Sequence, residues 1–234
     1  MAVLPLAEPA RTPTPLGALL HSFAPLSETE RRLICEGLGE AHSHAAGSEI
    51  SAGAPRIVMD GWAAWARHLS DGRRQIVALL LPGDPLPGGP SRVLGMNHVA
   101  LTPVRTVEAR PLLEAMSRTP GETAGLALAW SRAHDAAQAR LVAHITRLGR
   151  LSAHERMAHL MVELMDRQRR AGLARGMLMP LPITQEILAD VLGLSIVHVN
   201  RTLRAMRREG LVETRGNHSV LIEEERLKAI ADLS

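Results

Sequence analysis

The stretch from Gly193 to Leu211, GLSIVHVNRTLRAMRREGL, concentrates positive charge on one short segment. It predicts a helix that begins at a capping serine, Ser195, and ends near Gly210. A planar guanidinium hydrogen-bonds to phosphate oxygens and, in bidentate fashion, to the O6 and N7 atoms of guanine. The segment therefore indicates binding to nucleic acid. Its four arginines are Arg201, Arg204, Arg207 and Arg208.

Three apolar residues, Val199, Leu203 and Met206, share one face of this helix. They match apolar residues in the preceding segment ITQEILADVLG, which predicts a shorter helix capped by Thr184 and ended by Gly193. Two helices joined by a tight turn predict a helix-turn-helix, whose second helix enters the major groove of DNA. The runs LVET and SVLI around the turn RGNH predict a β-hairpin wing after it.

The first turns of the second helix are expected to meet base edges and phosphates. Arg201 is one turn in, where a bidentate pair with guanine is worth about 1–3 kcal/mol of discrimination. Ile196 and Val197 either contact thymine methyl groups, or one of them packs against the neighbouring helix. The wing turn is placed to meet the flanking backbone, which positions the protein without reading sequence. The predicted DNA-binding residues are Thr184, Gln185, Ser195, Ile196, Val197, His198, Asn200, Arg201, Arg204, Arg215, Asn217 and His218.

The formal net charge of +3 is unevenly distributed along the 234 residues. Residues 1–146 carry 13 basic and 13 acidic groups, residues 147–218 carry 12 and 7, and the last sixteen carry 2 and 4. Nearly all the positive charge is arginine, which reflects either phosphate binding or a general preference for arginine. Aromatic residues make up only 2% of the chain, whereas readers of single strands stack bases on aromatic rings. Duplex DNA is therefore the better candidate partner.

The elements that must position this unit lie upstream of it. Residues 1–25 contain five of the fifteen prolines and are predicted to form a flexible arm. Residues 26–120 begin with a helix at the capping box of Ser27 and Glu30. The runs RIVMDGWAAWARHL, RQIVALLLPGD and HVALTPVRTVEA then alternate with Gly, Pro, Asp and Asn, which predicts a small antiparallel β-roll.

One long helix is predicted for residues 121–150, with apolar residues at alternating steps of three and four. Such a helix is about 40 Å long at 1.5 Å per residue, which suggests a contact between the subunits of a homodimer. Packing of the same face on the β-roll of its own chain is the alternative. Residues 151–234, which open with the capping box of Ser152 and Glu155, complete the chain as the winged helix-turn-helix domain. The predicted interface residues are Leu126, Trp130, Ala133, Ala137, Leu141, His144 and Leu148.

Several classes of protein are excluded by composition and motifs. No apolar run approaches the ~18–20 residues that cross a bilayer, and the N-terminus lacks a signal-peptide pattern, so we expect a cytoplasmic protein without membrane contact. A single cysteine, Cys35, supplies neither an internal disulfide nor an iron-sulfur cluster, and its apolar neighbours predict a packed thiol. GxSxG, Walker and HExxH motifs are absent, so we expect no enzyme and no metal site.

The segment LPITQEILADVLGLSIVHVNRTLRAMRREGLVETRGNHSVLI resembles the winged helix-turn-helix of the Crp/Fnr superfamily of bacterial transcription regulators. The runs GWAAWARHLSDGRRQIVALLLPGD and VALTPVRTVEA look like the β-roll of that family, and the helix from about Glu122 corresponds to its dimerisation helix. The resemblance implies an α+β fold, with an N-terminal jelly roll of the cyclic-nucleotide-binding type and a C-terminal winged helix-turn-helix. It also implies a homodimer on a two-fold symmetric DNA site, with RNA polymerase as a further partner.

The recognition helix both matches and departs from the family pattern. Arg201 stands at the position of the guanine-reading arginine of the family. Familiar members carry an arginine or a glutamate in the first turn, where this chain has Ile196 and Val197. The docking mode is therefore expected to hold, while the preferred half-site is expected to differ.

The sensor region departs from the family pattern as well. The run LLPGDPLPGGPSRVLGMNHVALT has Asp84 where a glutamate would hold a ribose, and Ser91 and Arg92 in reversed order, so no cyclic nucleotide is expected. An N-terminal cysteine cluster for iron and sulfur is missing. Haem stays an alternative, with His68 or Cys35 as a ligand, in a sensor whose bound ligand controls DNA affinity. A regulator without any effector is the other variant.

Overall fold

A computed structural model of the protein describes residues 14–51, 53–86, 95–215 and 219–232. Two short helices come first, α1 at Pro15–Phe23 and α2 at Glu28–Glu36, and the second begins at the predicted capping box. Strands then form the predicted β-roll. They are β1 Ala41–His44, β2 Glu49–Ile50, β3 Arg56–Asp60, β4 Ala63–His68, β5 Arg74–Leu80, β6 Met96–Ala100 and β7 Val104–Glu108.

The β-roll consists of two antiparallel sheets, ordered β1-β7-β3 and β2-β6-β4-β5. Because successive side chains of a strand face opposite sides, each sheet turns alternate apolar residues inward. The tight turn between β3 and β4 requires Gly61, whose φ of 75° is left-handed. A Cβ atom there would lie 2.0 Å from the carbonyl oxygen of Pro103, so only glycine fits. The inward residues form a buried cluster of Ile50, Val58, Ala63, Leu80, Leu86, Ala100 and Val104.

Helices dominate the second half of the chain. α3 spans Arg110–Arg118, and the predicted long helix is α4 at Ala124–Arg150. α5 at Ala153–Arg170 starts at the predicted capping box. The apolar face of α5 packs in one continuous core with the elements that follow it in the chain and with the outer face of β4 and β5. The remaining elements are β8 Leu178–Pro180, α6 Gln185–Leu192, α7 Ile196–Arg208, β9 Val212–Arg215, β10 Ser219–Ile222 and α8 Glu224–Ile230.

Residues 15–23 of the predicted flexible arm form a helix in the described part of the chain. Thr14 caps α1 by accepting the Gly17 N–H, and Pro15 occupies the first helical position, where a missing N–H costs nothing. Leu16 and Leu20 are buried against α4 in a shared apolar cluster. Prolines thus start a packed helix here, and residues 1–13 lie outside the described part.

The apolar seam predicted on α4 faces its own subunit. Leu126 is fully buried, and Trp130 and Ala133 pack against the same cluster as α1. His144 is buried, while Ala137, Leu141 and Leu148 are half-buried. The inner side of α4 thus contributes to the core of the subunit, and an interface role for the predicted residues stays a prediction. The outer side of α4, opposite Leu126 and His144, exposes three large apolar residues, Leu128, Val142 and Ile145.

Glu30 connects α2 to the start of α4. Its carboxylate accepts the Ser27 N–H at 2.8 Å and the Leu126 N–H at 2.7 Å, and so closes two helix starts at once. The side chain of Thr123, the N-cap residue of α4, makes no capping bond, which leaves this task to Glu30. Burial acts to raise the pKa of Glu30, but the bonds from Ser27 and Leu126 outweigh it and hold the pKa below 4.5.

We expect Glu30→Gln to lower the free energy of unfolding by about 1–3 kcal/mol at pH 7, because one N–H then faces an amide donor. The lowered pKa means that the carboxylate stabilises the fold above pH 4.5 and ceases to do so as pH falls through its folded pKa. The difference between variant and wild type should shrink accordingly. Urea denaturation at several pH values measures it. Glu28→Gln, which removes a carboxylate paired only on the exposed surface, is the control. A difference that stays constant with pH would contradict this role.

Candidate nucleic-acid interface

Helices α6 and α7 form the predicted helix-turn-helix. Thr184 caps α6 by accepting the Ile187 N–H. Gly193 follows α6 with a left-handed φ of 61°, which turns the chain sharply. A Cβ atom at Gly193 would meet the Leu148 side chain at 3.2 Å, so the turn also lies close to α4. Ser195 then caps α7 by accepting the His198 N–H at 3.2 Å.

The apolar face of α7 fixes which residues point outward. Val199, Leu203 and Met206 are buried in the core shared with α6, as predicted. The opposite side of the first turn is exposed, with Ile196 at 50% and Val197 at 75% of full exposure. Large apolar side chains on a surface are expected where a partner covers them. Neither of the two therefore packs fully against the neighbouring helix.

The predicted contact residues lie close together at the start of this unit. Thr184, Ser195 and His198 are exposed, and Gln185 and Asn200 are half-buried. Exposed guanidinium groups extend the surface along α7. These are Arg201, Arg204, Arg207 and Arg208.

The arginines of α7 differ in how they are used within the chain. In the described part, Arg201, Arg204 and Arg208 make no hydrogen bond or ion pair, so their donors are available to another molecule. Arg207 donates instead to the Thr214 hydroxyl of β9 at 3.0 Å, which ties α7 to the wing. Sequence periodicity did not separate this structural arginine from the three free ones, because its partner lies on another element.

The capping serine also orients His198. Ser195 Oγ accepts the His198 N–H and lies 3.1 Å from His198 Nδ1. In the tautomer with the hydrogen on Nε2, Nδ1 accepts the hydroxyl hydrogen of Ser195. The exposed Nε2–H is then a donor beside the N-terminus of α7. A phosphate oxygen is a suitable acceptor at such a position.

The wing is a three-stranded sheet rather than the predicted hairpin alone. β10 pairs with β9 and also with β8, which precedes the helix-turn-helix in the chain. β8 has only three residues, so no strand-like alternation announced it. Arg215 ends β9, and its side chain lies outside the described residues together with Asn217 and His218.

Comparisons with known proteins agree with this geometry. Residues 155–230 match the family model of the Crp-like helix-turn-helix domain. The transcriptional activator protein FnrL of Cereibacter sphaeroides is 32% identical over 171 residues, which cover 70% of this chain and 67% of that protein. The chain belongs to the Crp/Fnr family of transcription regulators.

Further Crp/Fnr proteins extend the likeness. The nitrogen fixation regulation protein FixK of Bradyrhizobium diazoefficiens is 31% identical over 193 residues, covering 74% of this chain and 72% of that protein. The structure of FixK2 from Bradyrhizobium japonicum has a TM-score of 0.61 and 28% identity, and covers 82% of this chain and 96% of that one. A CooA mutant from Carboxydothermus hydrogenoformans, at 15% identity and a TM-score of 0.60, shares the fold over 85% and 89%. This chain is therefore a DNA-binding transcription regulator with a β-roll of the cyclic-nucleotide-binding type.

Asp84, which stands where a glutamate of the family pattern would hold a ribose, is bonded within the chain of this Crp/Fnr regulator. The Oδ2 atom of Asp84 accepts the Leu81 N–H at 2.8 Å and a guanidinium N–H of Arg167 at 2.6 Å, so this carboxylate is engaged within the chain. Ser91 and Arg92 lie outside the described residues. The absence of cyclic-nucleotide binding stays a prediction.

A cavity of about 470 Å³ separates the β-roll from the inner side of α4. Trp65 and Trp130 form apolar walls, and the indole N–H of Trp65 has no partner among the described residues. Arg140 lines the same space, with Nη2 3.8 Å from Asp84 Oδ1. Burial and then the charge of Arg167 lower the pKa of Arg140. The cavity thus offers apolar walls for the body of a ligand, and the charge of Arg140, which is only loosely paired with Asp84.

The haem ligands considered from the sequence do not meet at this cavity. His68 is exposed at the end of β4, and Cys35 is exposed on α2 rather than packed. Among the described residues, no group of three or more His, Cys, Asp or Glu side chains is arranged to hold a metal ion. The same part of the chain contains no helix that is both long and apolar enough to cross a membrane.

Sequence reasoning missed a buried histidine in the roll. His98 on β6 is only 1% exposed, and neither ring nitrogen has a hydrogen-bond partner among the described residues. Burial holds the pKa of His98 below 6.5, so the ring is neutral in the fold. Alternation along β6 could have placed it inward, since Met96 and Ala100 share its face.

His98 should make the regulator less stable in mild acid. Because its folded pKa lies below 6.5, the unfolded chain takes up a proton first as pH falls below that value. The free energy of unfolding should then drop by up to about 1.4 kcal/mol per pH unit from this one group. Replacement His98→Leu should make the dependence shallower between pH 6.5 and 5, whereas His68→Leu, on the surface, should leave it unchanged. Urea titrations provide the values, and equal slopes in all three proteins would refute the assignment.

Proposed function

We propose that this Crp/Fnr regulator acts in the cytoplasm as a homodimer on a two-fold symmetric duplex site, with α7 of each subunit in the major groove. The observation that carries the proposal is the exposed first turn of α7, where apolar side chains adjoin arginines without partners in the described chain. Two subunits related by a two-fold axis would place two α7 helices on half-sites about one helical turn apart.

Base reading by α7 rests on two kinds of side chain. Arg201 supplies a free guanidinium one turn into the helix, suited to the O6 and N7 atoms of guanine. Ile196 and Val197 supply methyl groups that match the C5-methyl of thymine and exclude water around it. His198 and Arg204 are placed to bind phosphates on either side. The half-site should therefore combine a guanine with neighbouring thymines.

The outer side of α4 is the surface proposed for the second subunit. Leu128, Val142 and Ile145 are exposed there, with 46%, 64% and 71% of full exposure. Val142 follows Leu128 by two heptads, and Ile145 follows Val142 by three residues, which is the spacing of a coiled-coil seam. A second copy of the same helix has matching apolar groups and covers this face. The relative FnrL is named a transcriptional activator, so we also propose that this regulator contacts RNA polymerase at the promoters it binds.

Control by a small ligand is the second candidate function, and the cavity beside α4 favours it. Its two tryptophans and Arg140 suit a small anion with an apolar body. Purified protein would be tested by absorption spectroscopy for haem and by native mass spectrometry for any other ligand. DNA affinity is then compared before and after the ligand is removed. Tight DNA binding by ligand-free protein would favour a regulator controlled by its own abundance.

Selection of bound duplexes from a random pool tests the proposed reading. Arg201→Ala should weaken the selected site by about 1–3 kcal/mol and relax the preference at one base pair of each half-site. Arg208→Ala, at the far end of α7, should weaken all sequences alike and slightly, because it adds only charge. Both are measured by titration at several salt concentrations. An equal loss on every sequence for Arg201→Ala would remove this residue from base reading.

Subunit association is tested on the outer side of α4. Ile145→Glu should convert dimer to monomer, because two carboxylates would be buried close together in the seam. The control Met177→Glu places the same charge on another exposed apolar residue, outside α4. Sedimentation equilibrium gives the mass of each variant. A dimer that persists unchanged in Ile145→Glu would show that subunits meet elsewhere.

A further inference from the structure

The short connection between α4 and α5 does not by itself fix the orientation of the C-terminal part of the chain relative to α4. We call residues 153–232, from α5 to α8, the DNA-binding unit. Only Leu151 and Ser152 separate the two helices, and both are extended, with ψ of 145° and 165°. Two such residues are a short hinge, and small changes in their dihedral angles would swing the whole unit. Other contacts must therefore fix the angle.

The apolar contacts at this joint hold the unit without specifying one angle. The core shared by the β-roll and the DNA-binding unit contains Ala64 and Ala66 of β4 together with several methionines. Methionine has a flexible, unbranched side chain that fills space in more than one packing arrangement. Such a surface stabilises docking over a range of angles. The methionines concerned are Met157, Met161, Met165, Met179 and Met206.

A buried arginine supplies one directional contact across this joint. Arg167 of α5 is 7% exposed and donates to the Leu79 carbonyl at 2.7 Å and to Asp84 Oδ2 at 2.6 Å. The same carboxylate oxygen accepts the Leu81 N–H, so Asp84 is fixed to the backbone of the roll. Charge-assisted bonds of this kind have narrow geometry. Arg167 thus holds α5 to one place on the β-roll.

Glu163 links this contact to α4. It accepts from Arg167 Nη1 at 3.3 Å and from Arg147 Nη2 of α4, which also donates to His159 Nδ1 at 2.8 Å. Arg147 is 1% exposed and the Glu163 side chain 16%, so the pair is largely withdrawn from water. Burial acts to raise the pKa of Glu163, but Arg147 and Arg167 outweigh it and keep it ionised. Roll, α4 and DNA-binding unit therefore meet at one network of charges.

Stability alone does not account for such a network. Burying two ions costs free energy that their mutual attraction only roughly offsets. Apolar residues of similar size often stabilise a protein as well or better. Flexible apolar side chains such as methionine do not by themselves define a register between the parts they join. A network with three arms, one on each part, does provide it.

We infer that Arg167 is a positioning residue for DNA binding: through Asp84 and Glu163 it sets the angle of the DNA-binding unit and hence the half-site spacing that the regulator accepts. The inference rests on the proposed homodimer. Both α7 helices must reach their half-sites at once, so a fixed angle favours one spacing over its neighbours. A freer angle spreads affinity over several spacings and lowers the best one.

The test uses the full chain and duplexes built from the selected half-site. Centre-to-centre spacing is varied by one and two base pairs in each direction, and a duplex with a single half-site is added. Arg167→Gln should lower the preference for the best spacing over a two-base-pair shift by about tenfold, a typical coupling between sites. Affinity for the single half-site should stay within twofold, because α7 itself is unaltered.

Two further variants separate positioning from folding. Asp84→Asn keeps the volume and one acceptor for the Leu81 N–H but removes the charge. It should reduce the spacing preference in the same sense, and it replaces Arg167→Gln as the test if that variant does not fold. Arg169→Gln is the matched control. This arginine lies on the same helix, but its partners Glu224 and Gly176 belong to the DNA-binding unit itself. It should leave the spacing preference unchanged.

The possible failures are distinguishable. A spacing preference kept in full by Arg167→Gln and Asp84→Asn overturns the positioning role alone. Equal weakening on every duplex, including the single half-site, also overturns it, since only general destabilisation would act that way. A wild-type protein with no spacing preference overturns the proposed homodimer and the positioning role together.

Discussion

The structure depends on one packing arrangement, the burial of α5 between the outer face of the β-roll and the helix-turn-helix. Met157, Leu160 and Met161 of this helix are withdrawn from water almost completely. Each such side chain contributes about 1.5–3 kcal/mol of hydrophobic stabilisation, so the two halves of the chain are not independent bodies. Because α5 holds α6 and α7 from behind, only the opposite side of α7 remains for a partner. The location of the DNA-binding surface follows from the location of this core.

Polar side chains complete what the apolar core leaves undefined. Glu30 closes the start of α4, and Arg167 ties α5 to the β-roll through Asp84. A second tie lies nearer the surface, where Arg74 of β5 pairs with Asp190 of α6 at 2.6 Å. Each of these bonds joins elements that are far apart in the chain. Charge-assisted bonds of this kind have narrow geometry, so they restrict the orientation of the elements they join.

The two sides of α4 carry different apolar residues, so one helix can form part of two surfaces. Its inner side carries Leu126 and Trp130 against the subunit core, and its outer side carries Val142 and Ile145 in the open. A cavity lined by Arg140 lies along the inner side, so whatever occupies it would press on the helix that also carries the proposed subunit contact. The cavity and the proposed subunit contact would then share one helix.

The sequence by itself determined the helix starts at Ser27, Ser152 and Ser195, the turn at Gly193 and the burial of one face of α7. These features are local, since capping and helical periodicity act within a few residues. Only the tertiary structure decided that Leu126 and Trp130 pack within the subunit, because apolar steps of three and four do not say whether the partner is another chain or the same one. It also decided that α1 packs, that β8 joins the wing, and that Arg207 and Asp84 serve structural bonds. Those outcomes depend on partners distant in sequence, and no local pattern encodes a partner of that kind.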